Sequence, residues 1–394
     1  MPYLRWLETA RRFANEVAVH DGDSALTFGE LAAAAEAAPT TCGPVVARTG
    51  SAGFLIDLLR AWRDGQAAIP VEKDAPEPIL KRQPPPDIRL VKHTPGASGV
   101  PRGIFLTGDQ LAADAARLVG AMEMKPGEPN LGVISLAHSY GFSSVVLPML
   151  FHGVPIRMVS VPFPRVLEDA MRRQESVVLP AVPSMWRAWQ RSGVLRGAPV
   201  RLAVSAGAPL SLALEREVFD ACGLKIHNFY GASECGGIAY DRSDTPRPDE
   251  TLLGTALPGV TLSTRDGRLL VSSDAVASGY ESPRADDWLE NGCYLTRDIV
   301  RIDEFGNLFL TATTGGAINV AGRKVSPAKV EAAILRTGLA VSVAIKAVPS
   351  PDPERHEEIE ATIEPADGAN VDQIRAVVSS LLPSWEIPRH WRVR

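Results

Sequence analysis

The sequence predicts an α/β protein: a large N-terminal domain with mostly parallel sheets covered by helices plus a β-rich subdomain, and a small α+β C-terminal domain after a hinge. Three observations carry this. Short apolar runs alternate with helical patterns from Ile88 onward, short strands with turn signals follow Glu250, and a fresh strand and helix pattern begins after Thr311 to Gly316. At 394 residues, 45% hydrophobic and 22% charged, the chain is also long enough for two cores. The expected division is 1–312 and 313–394.

Taken in order, Phe54 to Arg63 reads as an amphipathic helix, and the proline-rich run Ala75 to Asp87 then breaks regular structure. The runs IRLVKH, LGVISL, PIRMVS, SVVLP, RLAVS and KIHNFY read as strands, and DQLAADAARLVGAM and SLALEREVFDACG as helices between them. Beyond Glu250, Asp266-Gly267 and Phe305-Gly306-Asn307 are turn residues between RDGRLLVSS and RIDEFGNLFLT. In the small domain, Ser326 and Pro327 suit the N-cap and first position of a helix carrying Val330, Ile334 and Leu335.

The formal charge of -5 gives no electrostatic reason for a nucleic-acid or anionic-membrane partner. Cys42, Cys222, Cys235 and Cys293 show no CxxC spacing, which suits a reducing compartment, and the N-terminus reads as neither signal nor anchor. The expectation is a cytoplasmic protein acting on small molecules.

Two stretches carry chemistry. The first, Thr94-Pro95-Gly96-Ala97-Ser98-Gly99-Val100-Pro101-Arg102-Gly103, joins two expected strands, one ending at Lys92 and one starting at Ile104. Its glycines permit close backbone approach, Thr94 and Ser98 can donate to phosphate oxygens, and Arg102 adds charge. The pattern is not the Walker loop, and by itself it also describes a plain glycine-rich strand connection. The second, Asn228-Phe229-Tyr230-Gly231-Ala232-Ser233-Glu234, stands at the carboxyl end of an expected strand. Tyr230 offers a stacking face, Ser233 a phosphate donor and Glu234 a hard oxygen ligand for Mg²⁺. A Tyr-Gly turn with a solvated glutamate is the plainer reading.

In this order and spacing the two stretches resemble the acyl-adenylate-forming superfamily of acyl-CoA synthetases, peptide-synthetase adenylation domains and luciferases. The likeness extends through HDGDSALTFGELAAAAEAA, LAHSYGFSSVVLPMLFHG, Val182-Pro183-Ser184, Ser205 to Leu210, Gly254 to Val260, Tyr294 to Asp298 and Asn319 to Pro327. The resemblance implies that Tyr230 stacks on adenine, with Asn228 and Phe229 in the same strand and Gly207, Ala208 and Pro209 lining the pocket. Thr94, Ser98 and Ser233 would contact the phosphates, with Gly96, Gly99, Arg102, Gly231 and Ala232 also in the nucleotide site. Glu234 would hold Mg²⁺, Asp298 the ribose, and His138 would stand beside the acyl pocket. It also implies ATP and Mg²⁺ as cofactors, and CoA or phosphopantetheine as acceptor, with an acyl carrier protein as a further partner. The acid would be aryl or fatty rather than an amino acid, since no acidic anchor for an ammonium group is evident.

Several positions depart from the family pattern. Pro95 and Ala97 replace hydroxyl donors, Arg102 replaces a lysine, and Arg297 precedes Asp298 where glycine is usual. Thr313, Gly315 and Gly316 stand where the family has an arginine and aspartate pair at the hinge. No lysine follows Lys346, although the family carries one on a loop near its end. Either the sequence stops short of that loop or the protein lacks it; the alternative reading is a non-adenylating homologue that uses preformed acyl-adenylate or binds nucleotide as a regulatory or scaffold protein.

Elsewhere the plainer readings stand. Cys235 reads as an inert buried thiol, Trp186 and Trp189 as core, the paired Arg172 and Arg173 as a solubilising face, and the His20-Asp21, Asp286-Asp287 and His356-Glu357 clusters as solvated surface. A GxSxG elbow for hydrolase chemistry is absent from the sequence.

Overall fold

A computed structural model of the protein describes residues 1–94, 102–159, 161–172, 174–285, 287–313, 318–325, 327–352, 355, 357–366 and 368–393. Residues 1–94 and 102–313 form one compact unit, and the described residues after 313 form another.

In the first unit, a continuous sheet of fourteen described strands changes character along its length. Its middle is parallel: Val200–Ser205 pairs with Val177–Ala181 on one side and with Ile226–Ala232 on the other. Asn130–Gly132 and Ile156–Met158 continue the parallel arrangement, as the apolar runs between helices predict. From Ile226–Ala232 onward the pairing turns antiparallel through Gly236–Tyr240, Leu252–Ala256, Asn307–Thr313 and Cys293–Ile302. This is the β-rich part, and it ends on the hairpin Thr261–Ser272. Asp266 and Gly267 both take positive φ there, at 52° and 75°, the backbone that a two-residue hairpin turn demands.

A second sheet sets Val45–Arg48, Ala68–Val71 and Ile88–Thr94 in parallel, then adds Arg102–Thr107 and Gly279–Tyr280 antiparallel. The helix Gly53–Arg63 covers it with Phe54, Leu55, Leu58, Leu59 and Trp62 buried, and Trp62 Nε1 donates to the Arg89 carbonyl at 2.8 Å. Helix Gly108–Ala121 starts on a capping box between Thr107 and Gln110 and buries Leu111, Ala115 and Leu118. Trp6, Phe28, Phe142, Trp186 and Trp189 fill the main core at no more than 0% exposure. The two tryptophans meet edge to face at 5.4 Å, so they pack core as read from the sequence.

The second unit has its own core. Helices Pro327–Leu335 and Val371–Leu381 cover the strands Ala340–Pro349, Glu357–Pro365 and His390–Val393, with Val330, Ile334, Ile359, Ile363, Ile374 and Val378 buried among them. Pro327 begins its helix as expected. Ser326, Arg173, Asp286 and His356 lie outside the described residues, as do residues 314–317 of the expected hinge. No described helix is long and apolar enough to cross a membrane.

Candidate functional site

The chemistry-bearing residues of the first unit collect where parallel strands end. Asn228 pairs with Ser205 in the parallel ladder, which sets Gly207, Ala208 and Pro209, just past one strand, beside Asn228, Phe229 and Tyr230 in the next. Carboxyl ends of adjacent parallel strands are where open α/β sheets place ligands. Gly207 holds φ +82°, a conformation costly for other residues. Asn228 is buried and donates from Nδ2 to the Leu253 carbonyl at 3.2 Å. Phe229 is buried against Tyr140, the rings 6.0 Å apart. Both therefore support the strand that presents Tyr230.

Tyr230 donates its hydroxyl hydrogen bond to the Asp298 carboxylate. Burial, and then the neighbouring Asp298 charge, push its phenol well above the usual tyrosine value, so it stays a protonated donor. The adenine-stacking and ribose-binding candidates are thus adjacent although 68 positions apart in the chain.

The turn that follows carries Ser233 and Glu234. Gly231 is tight, since a Cβ there would stand 2.7 Å from the Gly236 carbonyl oxygen. Gly236 has φ +69°, and a Cβ on it would collide with the Asp114 carboxylate. Asp114, buried on the helix Gly108–Ala121, accepts from the Gly237 N–H at 2.9 Å and so ties the turn to that helix. Ala232 ends the strand, and Ser233 Oγ accepts from Ser139 Oγ at 2.6 Å. Glu234 Oε1 accepts from the Tyr280 hydroxyl at 3.0 Å. Among the described residues its other oxygen makes no hydrogen bond, leaving it available to a hard cation. A single carboxylate oxygen suits Mg²⁺, which takes one or two protein ligands and completes its shell with phosphate oxygens and water. No cluster of three or more His, Cys, Asp or Glu side chains among the described residues offers an all-protein metal cage.

Thr94 and Arg102 pair directly at the mouth of the glycine-bearing loop. Gly96, Ser98 and Gly99 lie in residues 95–101, outside the described chain. The Arg102 guanidinium packs 3.9 Å from the Tyr280 ring centroid and grips Asp287 with two nitrogens, one pair at 3.0 Å. Both charges of this pair have side chains only 11% exposed. Asp287, read from the sequence as solvated surface, is instead the buried partner of Arg102. The reading failed because an acid in a polar run gives no local sign of a cation 185 positions away.

His138 directs Nε2 at Glu72 Oε1, 3.4 Å away. Lys92, in the strand leading to the loop, is 2% exposed with Ser143 Oγ at 3.5 Å as its hydrogen-bond partner and the Phe142 ring centroid at 5.6 Å. Burial lowers its amine below the usual lysine value, while Asp114, Cys235 and Glu234 pull the other way. Cys235 is fully buried and its thiol is pushed well up by burial, which makes it inert as expected. Lys92, Asp114, Glu72, Tyr280 and Asp287 were not found from the sequence. A lysine inside the apolar run IRLVKH was the one local signal among them.

A family model described as AMP-binding enzyme matches residues 49–281, more than half of the chain. The chain belongs to the AMP-binding enzyme family. Among curated members, a feruloyl-CoA synthase of Amycolatopsis sp is 24% identical over 325 residues, covering 77% of this chain and 65% of that protein. An anthranilate–CoA ligase of Pseudomonas aeruginosa is 27% identical over 326 residues, covering 78% of this chain and 62% of that one. This AMP-binding chain therefore spans less than two thirds of the length of these relatives. Among solved structures, o-succinylbenzoate CoA synthetase of Bacillus subtilis superposes with TM-score 0.84 at 16% identity, over 99% of this chain and 94% of that one. That likeness establishes the α/β fold of this AMP-binding family member.

Proposed function

We propose that this chain forms an acyl- or aryl-adenylate from ATP and a small carboxylic acid, then passes the acyl group to a thiol of CoA or of phosphopantetheine on a carrier protein. The observation that carries the reading is the convergence of Tyr230, Asp298, Ser233 and Glu234 beside Gly207 to Pro209 at the ends of two parallel strands. In this reading Tyr230 faces the adenine, Asp298 takes the ribose hydroxyls, and Thr94, Ser98 and Ser233 donate to phosphate oxygens. Gly207, Ala208 and Pro209 bound the purine, and Gly96 and Gly99 let the backbone approach the phosphates. Glu234 would hold Mg²⁺, which neutralises phosphate charge when bound.

The chemical logic is that a carboxylate is a poor acyl donor. Its attack on the α-phosphate releases pyrophosphate and leaves a mixed anhydride, from which AMP departs readily. Positioning and charge neutralisation supply most of such catalysis. An aryl acid is favoured, because the two relatives above are named for feruloyl and anthranilate substrates.

One observation favours a second reading. Arg102 is committed to Asp287 and Tyr280, which removes a cation from the phosphates and suits a homologue that uses preformed adenylate or binds nucleotide as a regulator. AMP release from Mg·ATP over a panel of aryl and fatty acids, with CoA or pantetheine as the thiol, separates the two. The ligase reading requires AMP formation that needs both an acid and one of these thiols; nucleotide binding without AMP formation from any acid favours the second.

A further inference from the structure

We propose that Glu72 and His138 form the base that takes the thiol proton when the acyl group leaves the adenylate, His138 as the catalytic residue and Glu72 as its positioning residue. This rests on the acyl-transfer reading above and assigns its second step.

Glu72 and Thr49 are each the first residue beyond adjacent parallel strands, Ala68–Val71 and Val45–Arg48. Glu72 gathers three groups. Thr49 Oγ1 donates to Oε2 at 3.0 Å, Ser135 Oγ donates to Oε1, and His138 Nε2 stands 3.4 Å from Oε1. Two hydroxyl donors fix the carboxylate, and its place 3.4 Å from Nε2 favours the imidazole tautomer that carries its proton there. Nδ1 then keeps its lone pair, and among the described residues it has no hydrogen-bond partner. The His138 side chain is 66% exposed, so a substrate thiol can reach it. This is the arrangement of nucleophile base and orienting group seen wherever an imidazole must take a proton from a weak nucleophile.

The pair also stands next to the proposed adenylate site. Ser139, the residue after His138, donates to Ser233, and Ser233 adjoins Glu234. A base at this point faces the acyl end of an adenylate whose phosphate lies against Ser233. In the step, the thiol sulfur forms a bond to the acyl carbonyl carbon, and the bond from that carbon to the AMP phosphate oxygen breaks. AMP leaves as the phosphate anion with the electron pair, and the thiol proton passes to His138 Nδ1 and on to water. A thiol at neutral pH is mostly protonated and reacts as thiolate, so this transfer is the one that a neutral imidazole assists.

The test uses the full chain and chemically synthesised benzoyl-adenylate and octanoyl-adenylate with CoA, so it does not depend on whether the protein makes adenylate itself. Thioester formation is followed for wild type, His138→Gln, Glu72→Gln and the double variant, alongside thermal melting. The expected result is a kcat for His138→Gln about 100-fold below wild type, with KM for the adenylate within threefold and an unchanged melting temperature. Glu72→Gln is expected to lose about tenfold, and the double variant to be no slower than His138→Gln alone, because Glu72 acts only through the imidazole. Additive losses, a fall in melting temperature that accounts for the lost rate, or a kcat within threefold of wild type overturns the proposal. So does a wild-type chain that accelerates thioester formation from neither adenylate. Failure of the adenylation reading would show separately, as no AMP formed from ATP.

Discussion

At the residue scale, Lys92 is the most informative side chain. A buried ammonium with one hydrogen bond at 3.5 Å is left short of partners, and burying a charge this way is costly. Lys92→Met keeps the volume and removes the penalty, so it should stabilise the protein by about 1 kcal/mol; a lower melting temperature would show that the charge is needed for folding. The pH sign follows from the same burial. The folded amine titrates below its ordinary value of 10.5, so between those two values the unfolded chain holds more protons and stability rises with pH. Urea melts at several alkaline pH values should show that rise in wild type and its loss in Lys92→Met. At Glu234, replacement by Gln removes the charge while keeping the Tyr280 hydrogen bond. Mg·ATP affinity measured by calorimetry should then fall about tenfold, about 1.4 kcal/mol; equal affinity would take Glu234 out of the site.

At the element scale, the turn after Ile226–Ala232 is held by groups from other elements. A buried network ties the neighbouring strand: Lys225 Nζ contacts Glu215 and lies 2.6 Å from Asp241, and Arg247 Nε lies 2.8 Å from Glu215. Arg247 is 1% exposed, so Arg247→Met should cost about 3–5 kcal/mol by leaving Glu215 with one fewer partner. A melting temperature unchanged by Arg247→Met would mean that the network adds nothing. Much at this scale was legible beforehand. Five of the six apolar runs fall mainly on strands, while LGVISL gives only Leu131 and Gly132 to the strand Asn130–Gly132; DQLAADAARLVGAM and SLALEREVFDACG became Gly108–Ala121 and Leu212–Cys222, because alternation and helical period are local signals. Helix Pro2–Arg12 was not read, since Trp6 and its neighbours sit among charged residues and bury against elements distant in the chain, Trp6 against Phe28 among them. The strands around the glycine-bearing loop were read two residues short at each end. Their extension depends on the cross-strand pair Thr94 and Arg102, which no single run encodes. The same limit applies to the site: Tyr230, Asp298 and Glu234 stood out by type and order, whereas Glu72, Asp114 and Asp287 act only through partners brought close by folding.

At the scale of the whole molecule, the described residues after 313 close a core of their own around Val330, Ile334, Ile363 and Val378. Residues 314–394 expressed alone should give a cooperative thermal transition by circular dichroism; a featureless melt would mean that this core needs the rest of the chain. The first unit carries the proposed nucleotide site, and the claim that it activates a carboxylic acid is best tested by acid-dependent exchange of labelled pyrophosphate into ATP. Adenylation predicts exchange with at least one aryl acid, abolished without Mg²⁺ and reduced by Glu234→Gln. No exchange with any aryl, fatty or amino acid, in a chain that binds Mg·ATP, would contradict it.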